Sequence, residues 1–334
     1  MEQNLNDDAR ALVEEALALW DPGRRILGGP DSGYVEARLC AFFGNAAQTA
    51  AAAGGPERWS ATADAVLGRV EPLHYSDALH QISLSRLRLA DDIRAGGDEA
   101  RARKLVAANL RMLDGCPPSS APAPLLAVER AISLLASGDR AASDEALRRV
   151  DLAGLTLDYP LAQSLAELTA LSAGWGVGGG SYPSSIPAGA TAEAWAERVL
   201  ADLRARFEGL GLDPEGIPNV TLKMAPFAML QLTPLRKAGK LEEAGRLADR
   251  LHALADRLVT AFPRRAECHL LRSEAFAQKF KNAFRADRDD EVRFWLRRSL
   301  QAALDAVAID PENAEALDAL TVRQRKLALF TSRP

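Results

Sequence analysis

The chain has 334 residues, 48% hydrophobic and 26% charged, enough apolar material for an extended core and too much for one small domain. Its formal net charge of −4 argues against a constitutive nucleic-acid binder, because such proteins carry a basic excess to neutralise phosphates. No apolar run reaches the roughly 18 residues that span a bilayer, and the acidic opening Met1–Asp8 lacks the basic and apolar regions of a secretory signal, so a cytoplasmic protein with no membrane partner is expected.

Apolar residues recur at three- and four-residue intervals almost throughout, and alternating β-branched runs are missing, so the period is helical and the expected class is all-α. Asn6, Asp7 and Asp8 precede an apolar stripe of Leu12, Val13, Ala16, Leu17 and Trp20 that ends at Asp21-Pro22-Gly23. Further helices are expected at about 34–53, 57–70, 76–95, 98–114, 123–137, 139–150 and 159–173, each closed by glycine, proline or both. Short joints make neighbours antiparallel.

The Gly-, Pro- and Ser-rich stretch 174–190 interrupts this rhythm. It divides the chain into an N-terminal helical region 1–173 and a C-terminal one 191–334, and it is either a linker or a loop over a groove, with Trp175 and Tyr182 inside it. Helices resume at about 191–208. The segment 219–238 contains Pro226 and Pro234, which should kink or split it, and helices near 240–262, 264–285, 289–309 and 312–329 follow.

Three turn glycines are each followed, five residues on, by a small residue: Gly97 by Ala102, Gly138 by Ser143 and Gly239 by Ala244. A tight joint between helices needs a left-handed glycine, and close crossing of the pair needs a small side chain one turn further on. Near the end, Ala306 stands five before Pro311 in Asp310-Pro311-Glu312-Asn313-Ala314.

These features resemble the tetratricopeptide class of helical repeats, in which a small residue five before a proline packs the second helix and the proline ends it. The match is good over the last third of the chain and looser over 76–150. The glycines are separated by 138 − 97 = 41 and 239 − 138 = 101 positions, whereas the family's period is about 34. Pro263 and Pro311 stand 311 − 263 = 48 apart, so the helices there should be longer than the family's usual ones.

The resemblance implies an αα-hairpin superhelix, a TPR-like solenoid without catalytic activity of its own. Its inner face would bind a protein or peptide partner, an acidic one included, or a second copy of the chain. Similar arrays are appended to bacterial signalling proteins such as serine/threonine kinases, but no kinase motif stands in this sequence. The competing reading is an all-α enzyme or small-ligand protein with its pocket between the two halves and 174–190 as a lid.

Cys40, Cys116 and Cys268 lie far apart outside any zinc or disulfide pattern and are expected as buried thiols, so neither metal nor cofactor is expected. Gly176–Gly180 has Gly-x-Gly spacing but neither the strand nor the Gly-Lys-Ser/Thr that a phosphate cradle needs. Asp91-Asp92 and Asp289-Asp290 lack the second-turn carboxylate of a diphosphate-binding magnesium site and read as solvated helix starts. His74 and His80 fall on separate helix faces, with Asp77 one turn from His80 and within reach of it, while His252 and His269 stand far off in sequence.

Phe276, Phe280 and Phe284, with Phe294 and Trp295 on the next helix, read as core stripes. Beside them Arg265, Arg272 and Lys279 recur every seven residues and drift only about 20° per step. That makes one basic ridge, the expected binding site if this helix lines the groove, and otherwise a row of surface cations paired with Glu267, Glu274 or Asp287.

Overall fold

The computed structural model describes residues 72–116, 121–149, 159–175 and 189–331, together with a few single positions near them. The expected helices before residue 57, Cys40, and residues 176–185 with Tyr182 lie outside the described residues. Among the described residues the secondary structure is helical, with no strand. They fall into two compact units, one holding residues up to 149 and 159–164, the other holding 165–175 and the residues from 186 onward.

In the first unit, α1 (Pro72–Ala95) and α2 (Glu99–Asp114) form one helix pair, and α3 (Ala123–Ala136) and α4 (Arg140–Arg148) a second. α5 (Tyr159–Ser172) follows, and the division between units falls within it. The turn glycines Gly97 and Gly138 both have positive φ, as the sequence requires. Each is followed by an aspartate that caps the next helix: Asp98 accepts from the Arg101 amide and Asp139 from the Ala142 amide. The small residues beyond them are buried as expected, with the Ser143 hydroxyl donating across the pair to the Ala131 carbonyl at 2.8 Å. The first helices of the two pairs, α1 and α3, also touch.

The second unit runs through α6 (Ala192–Gly209), a 3₁₀ turn at Pro214–Gly216, α7 (Ile217–Lys237), α8 (Leu241–Ala261), α9 (Ala266–Arg285), α10 (Asp289–Ile309) and α11 (Ala314–Thr331). From α7 onward the helices keep one period. Between α8 and α10 both ends shift by the same amount, 289 − 241 = 48 and 309 − 261 = 48. The end of α7 and the end of α9 differ by 285 − 237 = 48, and α11 begins 314 − 266 = 48 after α9. The spacing of the two prolines is thus the spacing of whole helix pairs, which makes this region a helical repeat by its own register.

The turn within each pair needs a left-handed residue. Gly239 supplies it between α7 and α8 (φ +73°), and 48 positions later the non-glycine Asp287 takes the same role (φ +52°), an option open to a short polar side chain. Asn313 opens α11 by accepting from the Ala316 amide at 3.0 Å, so the Asp-Pro-x-Asn passage does begin a helix.

Packing follows the same period. α7 lies against α9, and α9 against α11, so first helices adjoin first helices, while α7 and α9 each also pack on the second helix of their own pair. α9 and α10 approach closely at Ser273 and Ser299, whose hydroxyls each donate to the other's carbonyl at 2.8 and 2.7 Å. Ala266, Leu270, Ala306 and Ala316 form a core with Leu222 and Val307, joining α7, α9, α10 and α11.

One expectation is corrected. The segment holding Pro226 and Pro234 is neither split nor shortened; it is a single 21-residue helix. Both prolines sit on the exposed side of the helix, while Met224, Ala225, Phe227, Ala228 and Leu232 anchor the opposite side in the core. None of the described helices is long and apolar enough to cross a membrane.

Candidate binding site on the first helices

The ridge expected from the heptad spacing lies along the seam between α9 and α8. Arg272 pairs with Asp256 at 2.8 Å and Lys279 with Asp249 at 2.6 Å; the two carboxylates, themselves seven apart on α8, meet the two cations on the antiparallel helix. Arg265, just before α9, is held by Glu267 at 3.1 Å and by Glu215 at 3.3 Å. Each member of the ridge is therefore neutralised inside the chain. Arg272 and Lys279 also cover rings, Phe276 at 5.7 Å and Trp295 at 4.5 Å from the centroids.

His252 of α8 completes that patch, 4.8 Å from the Phe276 ring. Burial pushes its pKa down; Asp256 opposes the shift, and Lys279 and Arg272 add to it. A histidine with a lowered folded pKa resists protonation that the unfolded chain accepts. Its stabilising effect is present above the unfolded value near 6.5 and is lost as pH falls through that value toward the folded one. The melting temperature should therefore decline between about pH 7 and 5, and less steeply in His252→Phe, as measured by calorimetry at fixed ionic strength. Equal slopes in the two proteins would exclude His252 as the cause.

The other polar side of α9 faces the neighbouring first helices, and there a continuous network crosses all three. Arg236, at the end of α7, donates to Asn282 and, at 2.8 Å, to the Gln278 side chain, both on α9. Gln278 donates to Glu274 one turn back, and Glu274 accepts from Arg323 of α11 at 2.6 Å. Lys281 stands 3.8 Å from the same carboxylate.

Cations outnumber anions at this place. Burial lowers the Lys281 pKa; Glu274 opposes that shift, and Lys326, Arg236 and Arg323 add to it. Lys326 is lowered by burial and by Arg323, with Glu274 again opposing. Arg236 is pushed down to about 10 by burial, with Glu274 opposing and Arg285 adding. Two buried donors of the network, Asn282 Nδ2 and Arg323 Nε, have no acceptor. The aromatic groups Phe280, Phe284 and Phe330 pack together on the same helices, with Phe284 45% exposed.

The first unit carries a counterpart that is fully buried. His80 of α1, Glu129 of α3 and Ser164 of α5 meet at Glu129 Oε1, which lies 2.6 Å from His80 Nδ1 and accepts from the Ser164 hydroxyl at 2.5 Å. All three are at most 1% exposed. His80 thus finds a carboxylate 49 residues away, where sequence proximity had suggested Asp77.

Cys116 and Cys268 are both buried, and burial pushes Cys268 up to about 12. Asp91 is a buried partner of Arg94 (2.8 Å) in the interior of α1, so the expectation of a solvated helix start is corrected there; Asp289, Asp290 and Glu291 do form the first turn of α10. Phe276 and Phe280 are core as expected, but Phe294 is 48% exposed with Arg298 over its ring. Trp175 is no lid: it is 1% exposed and stacked on Trp195.

Sequence reasoning missed Arg236, Glu274, Gln278, Asn282 and Arg323. The 4-3-4 spacing of Glu274, Gln278, Lys281 and Arg285 marks a helix face, but their partners on α7 and α11 lie 42 to 49 positions away, which no local pattern reports.

No family model matches the chain, and no curated protein matches it. Among solved structures it is similar to a circular tandem repeat protein with novel repeat topology and enhanced subunit contact surfaces, at 12% identity over 98% of this chain and 77% of that one, with a TM-score of 0.28. At that score the likeness carries no argument, and the helical-repeat assignment rests on the 48-residue register.

Proposed function

We propose that this protein is a binding scaffold of tetratricopeptide-like type, which holds a segment of a partner protein along the adjoining first helices α7, α9 and α11 and performs no chemistry on it. The observation that carries the reading is the in-register stacking of first helix on first helix, which lays polar and aromatic groups from three helices along one continuous face. Repeats of this kind recognise partners with a preformed surface, so little ordering free energy is lost on the scaffold side. The heptad ridge Arg265, Arg272 and Lys279 is then a stabilising seam, and the contact surface lies on the Arg236–Glu274–Arg323 side of α9.

Selection of displayed random dodecapeptides on the full chain, followed by hydrogen exchange of the complexes, tests this. Slowed amide exchange in α7, α9 and α11 is the expected result. Failure to select any peptide, or protection confined to other helices, would overturn the reading.

A further inference from the structure

We propose that the outward face of α10 is a self-association surface, on which α10 of a second copy of this chain docks antiparallel across a two-fold axis at Phe294. A groove there is lined by Asp290, Arg293, Phe294, Arg297, Arg298 and Gln301, all from α10 and all exposed. Asp290, Phe294, Arg297, Gln301 and Leu304 follow a 4-3-4-3 spacing, the stripe by which one helix meets another, while Val292, Leu296, Ser299 and Ala303 fill the opposite, buried side. Phe294 and Leu304 leave large apolar groups in water. Among the described residues the side chains of Asp290, Arg293 and Arg297 make no ion pair or hydrogen bond.

Charge decides the occupant. A wholly anionic partner would meet Asp290 and Glu291 at one end of the groove, so the face fits a surface that carries both signs in reverse order. The helix itself is such a surface. At about 100° per residue, Asp290 and Arg297 lie on one flank of Phe294, and Glu291 and Arg298 on the other. An antiparallel two-fold brings each flank against the same flank of the second copy. With Phe294 on the axis, Asp290 faces Arg297 and Glu291 faces Arg298, each pair formed twice, because the members stand three and four residues to either side of Phe294. A parallel pairing would instead set Asp290 on Asp290 and Arg297 on Arg297. Arg298 already lies over the Phe294 ring at 5.4 Å, and Glu291 is held by Arg288 of its own chain at 2.8 Å, so both are near the axis before association.

Sedimentation equilibrium of the full 334-residue chain should show a monomer–dimer equilibrium that shifts toward monomer with added salt. Phe294→Ser should weaken the dimer about tenfold or more. The double variant Arg297→Glu with Arg298→Glu makes all facing charges alike and should weaken it as much, and so should Asp290→Arg with Glu291→Arg. Mixing these two charge-reversed chains restores opposite charges at every pair, so a heterodimer about as tight as the original dimer is expected. If Asp290→Arg with Glu291→Arg does not fold by circular dichroism, the single variants Asp290→Arg and Arg297→Glu carry the same expectation at a smaller size. A monomer at every concentration, a dimer indifferent to Phe294→Ser, or a mixture no more dimeric than its components each overturns the proposal. So does a monomeric chain whose melting temperature rises with inorganic pyrophosphate but not in the Arg297→Glu, Arg298→Glu variant, which would give the arginines to an anionic ligand. None of these results bears on the peptide-binding face at α7, α9 and α11.

Discussion

His80→Leu is expected to destabilise the first unit by about 3–5 kcal/mol, among the largest effects a single substitution here should produce. The Glu129 carboxylate is 1% exposed and shares one oxygen between His80 Nδ1 and the Ser164 hydroxyl, so removing the imidazole leaves a buried carboxylate with half its support. The loss comes from the stranded group more than from the missing contact, because a buried polar atom without a partner has given up water for nothing. The triple variant His80→Leu, Glu129→Leu, Ser164→Ala should therefore recover most of the stability lost in the single one, since exchanging a whole buried network for apolar groups is close to neutral. Urea unfolding followed by circular dichroism checks both; a single-variant loss under about 1 kcal/mol, or a triple variant weaker than the single, would refute the account.

Trp195→Ala should cost the second unit about 3–5 kcal/mol. Trp195 is 1% exposed, its ring lies 4.7 Å from that of Trp175 at an interplanar angle of 29°, and its indole N–H donates to the Ala173 carbonyl at 3.2 Å. Truncation removes all three at once: a large apolar surface, a stacked ring and the partner of a carbonyl near the end of α5. Trp195→Phe keeps most of the apolar volume and should cost roughly 1–3 kcal/mol, from the unpaired Ala173 carbonyl and the smaller ring. The order of the two variants in guanidinium unfolding is the test, and equal losses would show that the apolar bulk kept by phenylalanine does not stabilise the site.

Local features of this chain were legible because their causes are local. Gly97, Gly138 and Gly239 announce left-handed turns, the small residues five positions on announce close crossings, and the 48-residue spacing of Pro263 and Pro311 recurs as the spacing of helix pairs. Pro226 and Pro234 do not split their helix, because both sit on its exposed side while the opposite face is anchored in the core. The heptad ridge shows what spacing leaves open. Spacing alone places Arg265, Arg272 and Lys279 on one side of a helix, but it does not say that Asp249 and Asp256 wait on the neighbouring one.

By itself the sequence determined the helical period and the turns, since each depends on residues within one or two turns of one another. The tertiary structure alone decided which polar groups meet across helices. That Arg236 meets Gln278, that Glu274 meets Arg323, and that His80 meets Glu129 are consequences of first helices lying side by side, which joins residues 42 to 49 positions apart. Charge and hydrogen bonding act through space, and only packing sets those distances.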